Sequence, residues 1–237
     1  MSAPVEVVLS GPSKNALGTR LMLQLDEGLA AAGGAPVLLR GEGDAFSAGL
    51  DLRELVDLDR DGMQSFLMRL NGVVERLFRY PGPTVACVNG HAIAGGAILA
   101  LACDHRVATA DPRARIGLNE VALGLRFPPG ILDIVRHRVA RIETVILGAG
   151  LHAPADAAAM GLVDEVADDP LAVAQQRLAA LAAHPPAAYA HAKAALRDGI
   201  GAWDAATEQQ FLEQVLPTWT SGEIKAMIRG FLDRSKR

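Results

Sequence analysis

The spacing of apolar residues predicts strands and helices that alternate over the first two thirds of the chain. Between residues 62 and 79, apolar side chains recur every three or four positions, which is typical of one helix face. Short apolar runs at 5–10, 36–40 and 84–88 predict strands. The remaining predictions for this part are helices at 17–32, 96–103, 131–148 and 154–160, and strands at 105–108 and 162–166.

The last third of the chain has a helical pattern only. Its predicted helices cover 170–183, 186–198, 204–216 and 221–233. Alternating strands and helices are typical of an α/β core with a parallel sheet, and a run of helices after them indicates an appended helical region. We therefore divide the chain into a core, residues 1–169, and a C-terminal helical region, residues 170–237.

Composition and charge exclude several classes of protein. Of the 237 residues, 50% are hydrophobic and 21% are charged, which excludes a disordered or coiled-coil chain and fits one sizeable domain. The chain has 23 basic and 27 acidic residues, a net charge of −4, and aromatic residues make up 4%. Such a chain is not typical of proteins that bind nucleic acid or anionic membranes, so we expect neither partner.

The cysteine and histidine residues do not form a metal-binding pattern. Cys87 and Cys103 belong to no CxxC pair and to no His/Cys cluster, and the six histidines lack the spacing of metal ligands. We expect both cysteines to be small core residues, with neither a disulfide nor a metal site.

Neither a membrane span nor a signal peptide is expected. Residues 80–103 carry no Asp, Glu, Lys or Arg, but they include two prolines and four glycines, which break the stretch into shorter elements. The first residues lack the basic start and long apolar run of a signal peptide, so we expect a cytoplasmic location.

Three stretches could carry chemistry. Residues 45–52 (AFSAGLDL) and 89–96 (NGHAIAGG) place small residues between a predicted strand and a predicted helix, and residues 116–120 (IGLNE) place a carboxylate in an apolar stretch. Small residues let a ligand approach the backbone, and unpaired N–H groups near a helix start favour an anion. Each stretch alone is also common in ordinary turns.

Together and in this order, the stretches resemble one known family. FSAGLDL, VNGHAIAGGAILALACDHRVA and IGLNEVALGL are similar to the enoyl-CoA hydratase/isomerase family, the crotonase superfamily. Asn15-Ala16-Leu17 and the GLVDEV stretch extend the resemblance over most of the chain. It implies an α/β fold of the crotonase type, a repeated ββα spiral with a C-terminal helical region. It also implies an acyl-CoA substrate, no cofactor beyond that CoA thioester, and a homotrimer or dimer of trimers.

The resemblance also implies which residues form the site. The backbone N–H groups of Ala48 and Gly95 match an oxyanion hole for the thioester oxygen, and Glu120 matches the catalytic base. Preorganised donors aimed at a developing oxyanion are among the strongest contributions to catalysis. The residues that we place in the substrate pocket are Ser47, Leu50, Ile98, Phe127 and Pro128.

The acid/base positions indicate an isomerase. Hydratases of this family carry two glutamates. One lies in the stretch that matches IGLNE, and the other lies three residues after the oxyanion-hole glycine. At the second position this chain has Ile98. Shifting a double bond needs one base, whereas adding water is easiest with two groups. GLNE followed by Leu123-Gly124 is also similar to the mitochondrial-type Δ3,Δ2-enoyl-CoA isomerases of fatty acid metabolism. The alternatives are an enoyl-CoA hydratase or other acyl-CoA lyase, and a CoA-binding subunit without turnover.

Three further expectations concern particular side chains. Apolar neighbours should desolvate Glu120 and raise its pKa. Ser47 is not expected to be a nucleophile, because AFSAG lacks the first glycine of the GxSxG elbow and no His and Asp follow in the required order. Apolar residues of the tail should be exposed in a monomer and drive self-association. These tail residues are Phe211, Leu212, Val215, Leu216 and Trp219.

Overall fold

Nine strands form two sheets in the computed structural model, which describes residues 3–234. In chain order they are β1 (Val5–Leu9), β2 (Val37–Gly41), β3 (Ala45–Ser47), β4 (Thr84–Val88), β5 (His91–Ile93), β6 (His105–Thr109), β7 (Ile116–Gly117), β8 (Leu151–His152) and β9 (Glu165–Ala167). The larger sheet is parallel throughout, in the order β1-β2-β4-β6-β9. The smaller sheet has the order β3-β5-β7-β8, and only β8 runs antiparallel to its neighbour.

Helices follow most of the strands. They are α1 (Pro12–Asn15), α2 (Thr19–Ala32), α3 (Leu52–Leu55), α4 (Arg60–Phe78), α5 (Gly95–Ala102), α6 (Pro129–Arg138), α7 (Ile142–Gly148), α8 (Pro154–Met160), α9 (Pro170–Ala182), α10 (Pro186–Leu196), α11 (Ala205–Gln210), α12 (Leu216–Trp219) and α13 (Gly222–Arg234). A π-helical turn, Phe211–Val215, joins α11 to α12. Within residues 3–234, none of the helices combines the length and the apolar character that a membrane crossing requires.

Consecutive strands alternate between the two sheets. The chain passes from β2 to β3, from β4 to β5 and from β6 to β7, each time from the larger sheet to the smaller one, and a helical segment follows each pair. Since β2, β4 and β6 are neighbours in one sheet and β3, β5 and β7 in the other, each strand pair stacks on the previous one. This arrangement is the predicted ββα spiral, so the predicted fold class is confirmed.

Alternation of side chains along the strands divides the core into two layers. Leu38, Val85 and Val107 point to the face of the larger sheet that α9 covers with Ala174 and Leu178. The other face packs against the main hydrophobic cluster of the molecule. The prediction that both cysteines are small core residues is confirmed, since both are buried and neither is in a disulfide.

The shortest strands were not predicted from the sequence. The strands β3 and β5 have three residues each, and β7 and β8 have two each, which are too few to show a period of two. The predicted helical stretch 131–148 is interrupted after α6, where Val139 has extended backbone angles. The strand predicted at 162–166 begins later, at Glu165, while Leu162 and Val163 are buried in the turn before it.

The helical tail does not expose the apolar face that we expected. Phe211 and Trp219 are 1% and 3% exposed, and they pack in the main cluster of the same chain with Val215 and Leu216. Trp219 also donates from Nε1 to the Arg126 carbonyl oxygen, at 2.8 Å. The expectation that this face is exposed is therefore wrong, because it is buried within the chain, while self-association through the tail and its surroundings stays a prediction. Residues 1–2 and 235–237, the outer ends of the two predicted regions, lie outside the described residues.

Candidate active site

The three motif stretches meet at one edge of the smaller sheet. Because β3, β5 and β7 are parallel neighbours, the residues after each strand emerge at the same edge. The Ala94 N–H donates to the Gly117 carbonyl oxygen at 2.8 Å, which joins the second stretch to the third. A methyl group added at Gly96 would lie 2.4 Å from the Ser47 carbonyl oxygen, so the first and second stretches are also in close contact.

Glu120 is a buried carboxylate at this edge. Its side chain follows β7 and is 5% exposed, and its Oε2 has no hydrogen-bond partner within the described part of the chain. Burial raises the pKa of Glu120 from its ordinary value of 4.5 to about 7, and its own backbone N–H offsets only part of that rise. The predicted direction of this pKa shift is therefore confirmed. A carboxylate with such a pKa can both take and return a proton near neutral pH.

Three apolar residues that the sequence analysis placed beside Glu120 are buried. Ile98, Ile116 and Leu118 are at most 3% exposed and belong to the main cluster. Asn119 carries a second buried oxygen, Oδ1, that also lacks a partner among residues 3–234. Buried polar atoms are normally paired, so two adjacent unpaired oxygens indicate a place where a polar ligand would bind. Sequence reasoning overlooked Asn119, although it directly precedes the carboxylate.

We expect Glu120→Gln to stabilise the protein at pH 8 and to leave its stability nearly unchanged at pH 4. The folded-state pKa of about 7 lies above the ordinary value, so the unfolded chain loses this proton first as the pH rises. Stability is therefore lost between roughly pH 4.5 and pH 7. Glutamine has no such proton, so the variant should gain about 3 kcal/mol in free energy of unfolding at pH 8.

Urea unfolding at both pH values measures this gain. The matched control is Glu143→Gln, which removes the same charge from an exposed position on α7. An equal gain in both variants, or no gain in Glu120→Gln, would show that Glu120 is not held in its neutral form by burial.

Gly95 presents its N–H group to the same edge. It is the first residue of α5, all eight residues of which are buried. First-turn N–H groups have no partner inside a helix, and no acceptor for this one lies within residues 3–234. Together with the helix dipole, it forms a donor suited to an anionic oxygen.

The expectation for Ala48 is wrong, because its N–H is already used. It donates to the Lys14 carbonyl oxygen at 3.0 Å. Ser13, Lys14 and Asn15 all have positive φ angles, so this turn is left-handed and directs that carbonyl group toward Ala48. The Asn15 side chain fixes the turn by donating from Nδ2 to the Ala45 carbonyl oxygen, at 2.9 Å.

Leu50 provides the unused N–H that Ala48 does not. Leu17 donates to the Gly49 carbonyl oxygen at 2.7 Å, and Asp51 donates to the Leu17 carbonyl oxygen at 3.1 Å. In this parallel bridge the N–H of Leu50 points away from Leu17, and no acceptor for it lies in the described range. A methyl group added at Gly95 would lie 3.1 Å from Leu50 Cδ2, so the two residues are in contact. Leu50 is the residue after the glycine of FSAG. The sequence analysis placed it in the substrate pocket and did not identify its N–H as a donor.

The other predicted pocket residues have different environments. The Ser47 hydroxyl donates to the Asn15 carbonyl oxygen at 2.8 Å and accepts from the Gly49 N–H at 3.2 Å, so it stabilises the turn. It is fully buried, which fits the expectation that it is not a nucleophile. Phe127 packs at the margin of the main cluster, and Pro128 is the buried residue before α6. Asp51 caps α3 by accepting from the Arg53 N–H, at 3.0 Å.

No group of side chains suited to a metal ion occurs in residues 3–234. Three or more His, Cys, Asp or Glu residues do not cluster anywhere in that range. The groups described at the site are the Glu120 carboxylate, the Asn119 amide oxygen, two backbone donors and buried apolar side chains.

Comparison with known proteins relates this arrangement to one family. Residues 3–236 match the family model described as enoyl-CoA hydratase/isomerase. A protein of Thermus thermophilus, provisionally named an enoyl-CoA hydratase, is 35% identical over 162 residues, which are 66% of this chain and 62% of that protein. The mouse mitochondrial enoyl-CoA delta isomerase 1 is 37% identical over 125 residues, 51% of this chain and 43% of that protein. The match thus spans less than two thirds of either relative.

The fold likeness extends further than these sequence matches. The crystal structure of human mitochondrial Δ3-Δ2-enoyl-CoA isomerase superposes with a TM-score of 0.83 at 26% identity. The superposition covers 98% of this chain and 94% of that one.

Proposed function

Because the chain belongs to the enoyl-CoA hydratase/isomerase family, we propose that it moves the double bond of an enoyl-CoA from Δ3 to Δ2. The observation that carries this proposal is the buried carboxylate of Glu120, which has no ion-pair partner in the described part of the chain and a pKa of about 7. At the position where a second carboxylate would stand, Ile98 offers only hydrocarbon. Likeness to the human mitochondrial isomerase supports the same choice.

The first step in this proposal is binding of the thioester oxygen. The N–H groups of Leu50 and Gly95 would both donate to it, and the start of α5 adds its dipole. These donors do little for a neutral carbonyl oxygen and much more for the oxyanion that forms next. Preorganised donors of this kind therefore lower the barrier rather than only tightening binding.

The second step is a proton transfer by Glu120. Its carboxylate removes a proton from C2, and the electron pair of that C–H bond spreads over the thioester and the C3–C4 double bond as a dienolate. The same carboxyl group then returns the proton to C4, which leaves the double bond between C2 and C3. No net proton is gained or lost. With a pKa of about 7, Glu120 is half ionised near neutral pH and suits both halves of the step.

Direct assays of both reactions test the proposal. Purified protein should convert 3-enoyl-CoA into 2-enoyl-CoA, and it should hydrate 2-enoyl-CoA weakly or not at all. The conjugated product absorbs in the ultraviolet, and hydration removes that absorbance, so one spectrometer follows both. Hydration as fast as isomerisation would contradict the single-base mechanism.

A hydratase is the second candidate, because the Thermus relative carries that name. It would use Glu120 together with a water molecule, for which the unpaired Oδ1 of Asn119 is an available acceptor. The third alternative is a CoA-binding subunit without turnover. Exchange of the C2 proton of a bound acyl-CoA with deuterated water would exclude that alternative, since only an active base catalyses it.

We also propose that the protein self-associates, on the basis of the family resemblance, as a trimer or a dimer of trimers in the cytoplasm. Because the apolar face of the tail is buried within the chain, we expect another surface to be involved. Large apolar side chains that remain exposed elsewhere include Leu147 and Leu151, at 72% and 38%. Light scattering at micromolar concentration should give at least three times the chain mass of 24.9 kDa, and a monomer would contradict the proposal.

A further inference from the structure

The end of α5 that lies far from the site is held by an arginine. Arg138, the last residue of α6, donates from Nε to the Leu101 carbonyl oxygen at 3.0 Å. Its Nη2 donates to the carbonyl oxygens of Cys103 and Asp104, at 2.7 and 2.9 Å. The last carbonyl groups of a helix have no partner within it, and the C-terminal end of the dipole attracts cations. Arg138 therefore supplies both the missing donors and the complementary charge.

More buried charge stands directly behind this end of α5. The Asp104 carboxylate pairs with Lys193 and Arg197 of the tail, both at 2.8 Å. These two cations are 7% and 5% exposed. Burial lowers the pKa of Lys193 to about 8, so it is still mostly charged at pH 7. Arg106, which is buried and pairs with Asp164, is close enough to interact with Arg138 as well. The end of α5 is therefore surrounded by more positive than negative charge, and salt screens buried charges poorly.

The helix between this cluster and the site contains no charge of its own. All eight residues of α5 are apolar or glycine and all are buried, and at 1.5 Å per residue the helix is about 12 Å long. Gly95, whose N–H would bind the thioester oxygen, lies at its other end. Because the helix between the two ends is buried, solvent screens their interaction less than it would at the surface.

We propose that Arg138 is a positioning residue for the thioester-oxygen site and acts on it through α5. This inference rests on the proposed function, since it requires an oxyanion beside Gly95. The guanidinium neutralises the negative end of the helix dipole. The positive end at Gly95 then stabilises the oxyanion without repulsion from the negative end. At roughly 15 Å and an effective dielectric constant of about 20, a unit charge shifts an equilibrium roughly sixfold.

Kinetics of three variants test the charge. Arg138→Gln should lower kcat by roughly three- to tenfold with little change in KM, because the charge acts on the oxyanion more than on the neutral substrate. Arg138→Lys keeps the charge but lacks the forked guanidinium whose two nitrogens make the three hydrogen bonds, and it should retain at least half of kcat. The matched control is Arg136→Gln, which removes an equal charge from the exposed side of the same helix and should retain full activity. Thermal unfolding checks that each variant is folded.

A purely structural role predicts a different result. Arg138→Lys and Arg138→Gln would then lose activity together, and that outcome overturns the inference, as would full kcat in a folded Arg138→Gln. If Arg138→Gln does not fold, Arg138→Met is measured in its place, because it also lacks the charge and has an apolar side chain of similar length. If that variant also fails, the lysine variant decides, since a folded Arg138→Lys with a loss of tenfold or more contradicts a role for charge.

An infrared measurement separates this inference from the proposed function. The probe is crotonyl-CoA labelled with carbon-13 at the thioester carbonyl, bound to variants that also carry Glu120→Gln. If Arg138 is otherwise unchanged, the carbonyl stretch should move to lower frequency on binding, and Arg138→Gln should reduce that shift while Arg136→Gln does not. Absence of any shift contradicts the proposed site and the inference with it. A shift that Arg138→Gln leaves intact contradicts the inference alone.

Discussion

Glu120→Gln should lower the rate of isomerisation by roughly 10²–10⁴-fold, the usual contribution of general acid–base catalysis. Glutamine keeps the shape of the side chain but cannot take the C2 proton. Substrate binding should change little, because the thioester oxygen and the CoA moiety do not depend on this carboxyl group in the proposed mechanism. The measurement is kcat and KM for 3-enoyl-CoA at pH 8.

The same variant provides its own check on folding. It should be more stable than the original protein at pH 8, since it lacks the buried carboxylate whose pKa is raised to about 7. Loss of activity together with a gain of stability is hard to produce by misfolding. Glu143→Gln, on the surface of α7, should retain full activity. Full isomerase activity in Glu120→Gln would remove Glu120 from the mechanism.

Replacing the Leu50 peptide N–H by an ester oxygen should lower kcat by roughly 10²–10³-fold. The replacement inserts the hydroxy-acid analogue of leucine and leaves the side chain unchanged. Since no acceptor for this N–H lies within residues 3–234, the change removes no hydrogen bond of the described structure, and it only weakens the Gly49 carbonyl as an acceptor for the Leu17 N–H. Its cost should therefore appear in kcat, where the oxyanion needs the donor, and much less in stability.

The same ester at Ala48 is the matched comparison. It removes the hydrogen bond to the Lys14 carbonyl oxygen and should lower the free energy of unfolding by about 1 kcal/mol. Its effect on kcat should stay within a few fold. The reverse result, with the larger loss of kcat at Ala48, would restore the donor that the sequence analysis named and exclude Leu50.

The sequence alone was sufficient to predict the long elements and the chemistry of one side chain. The helix α4 was predicted within two residues at its start and one at its end, because a helix of 19 residues repeats its apolar spacing many times. The environment of Glu120 was also predictable. Ile116 and Leu118 are close to it in the chain, and the family resemblance placed Ile98 beside it, so the direction of its pKa shift could be predicted before its burial was known.

Tertiary structure decided which backbone group is free and which surface is covered. Ala48 and Leu50 lie two residues apart. The Lys14 carbonyl oxygen accepts from the Ala48 N–H, whereas Leu17 forms hydrogen bonds with the residues on either side of Leu50 and leaves its N–H free. Both partners lie more than 30 residues earlier in the chain. The face of the tail that carries Phe211 and Trp219 is buried by residues far away in the chain, such as Arg126. Local sequence determines periodicity and local polarity, whereas hydrogen-bond partners and burial depend on where separate segments meet.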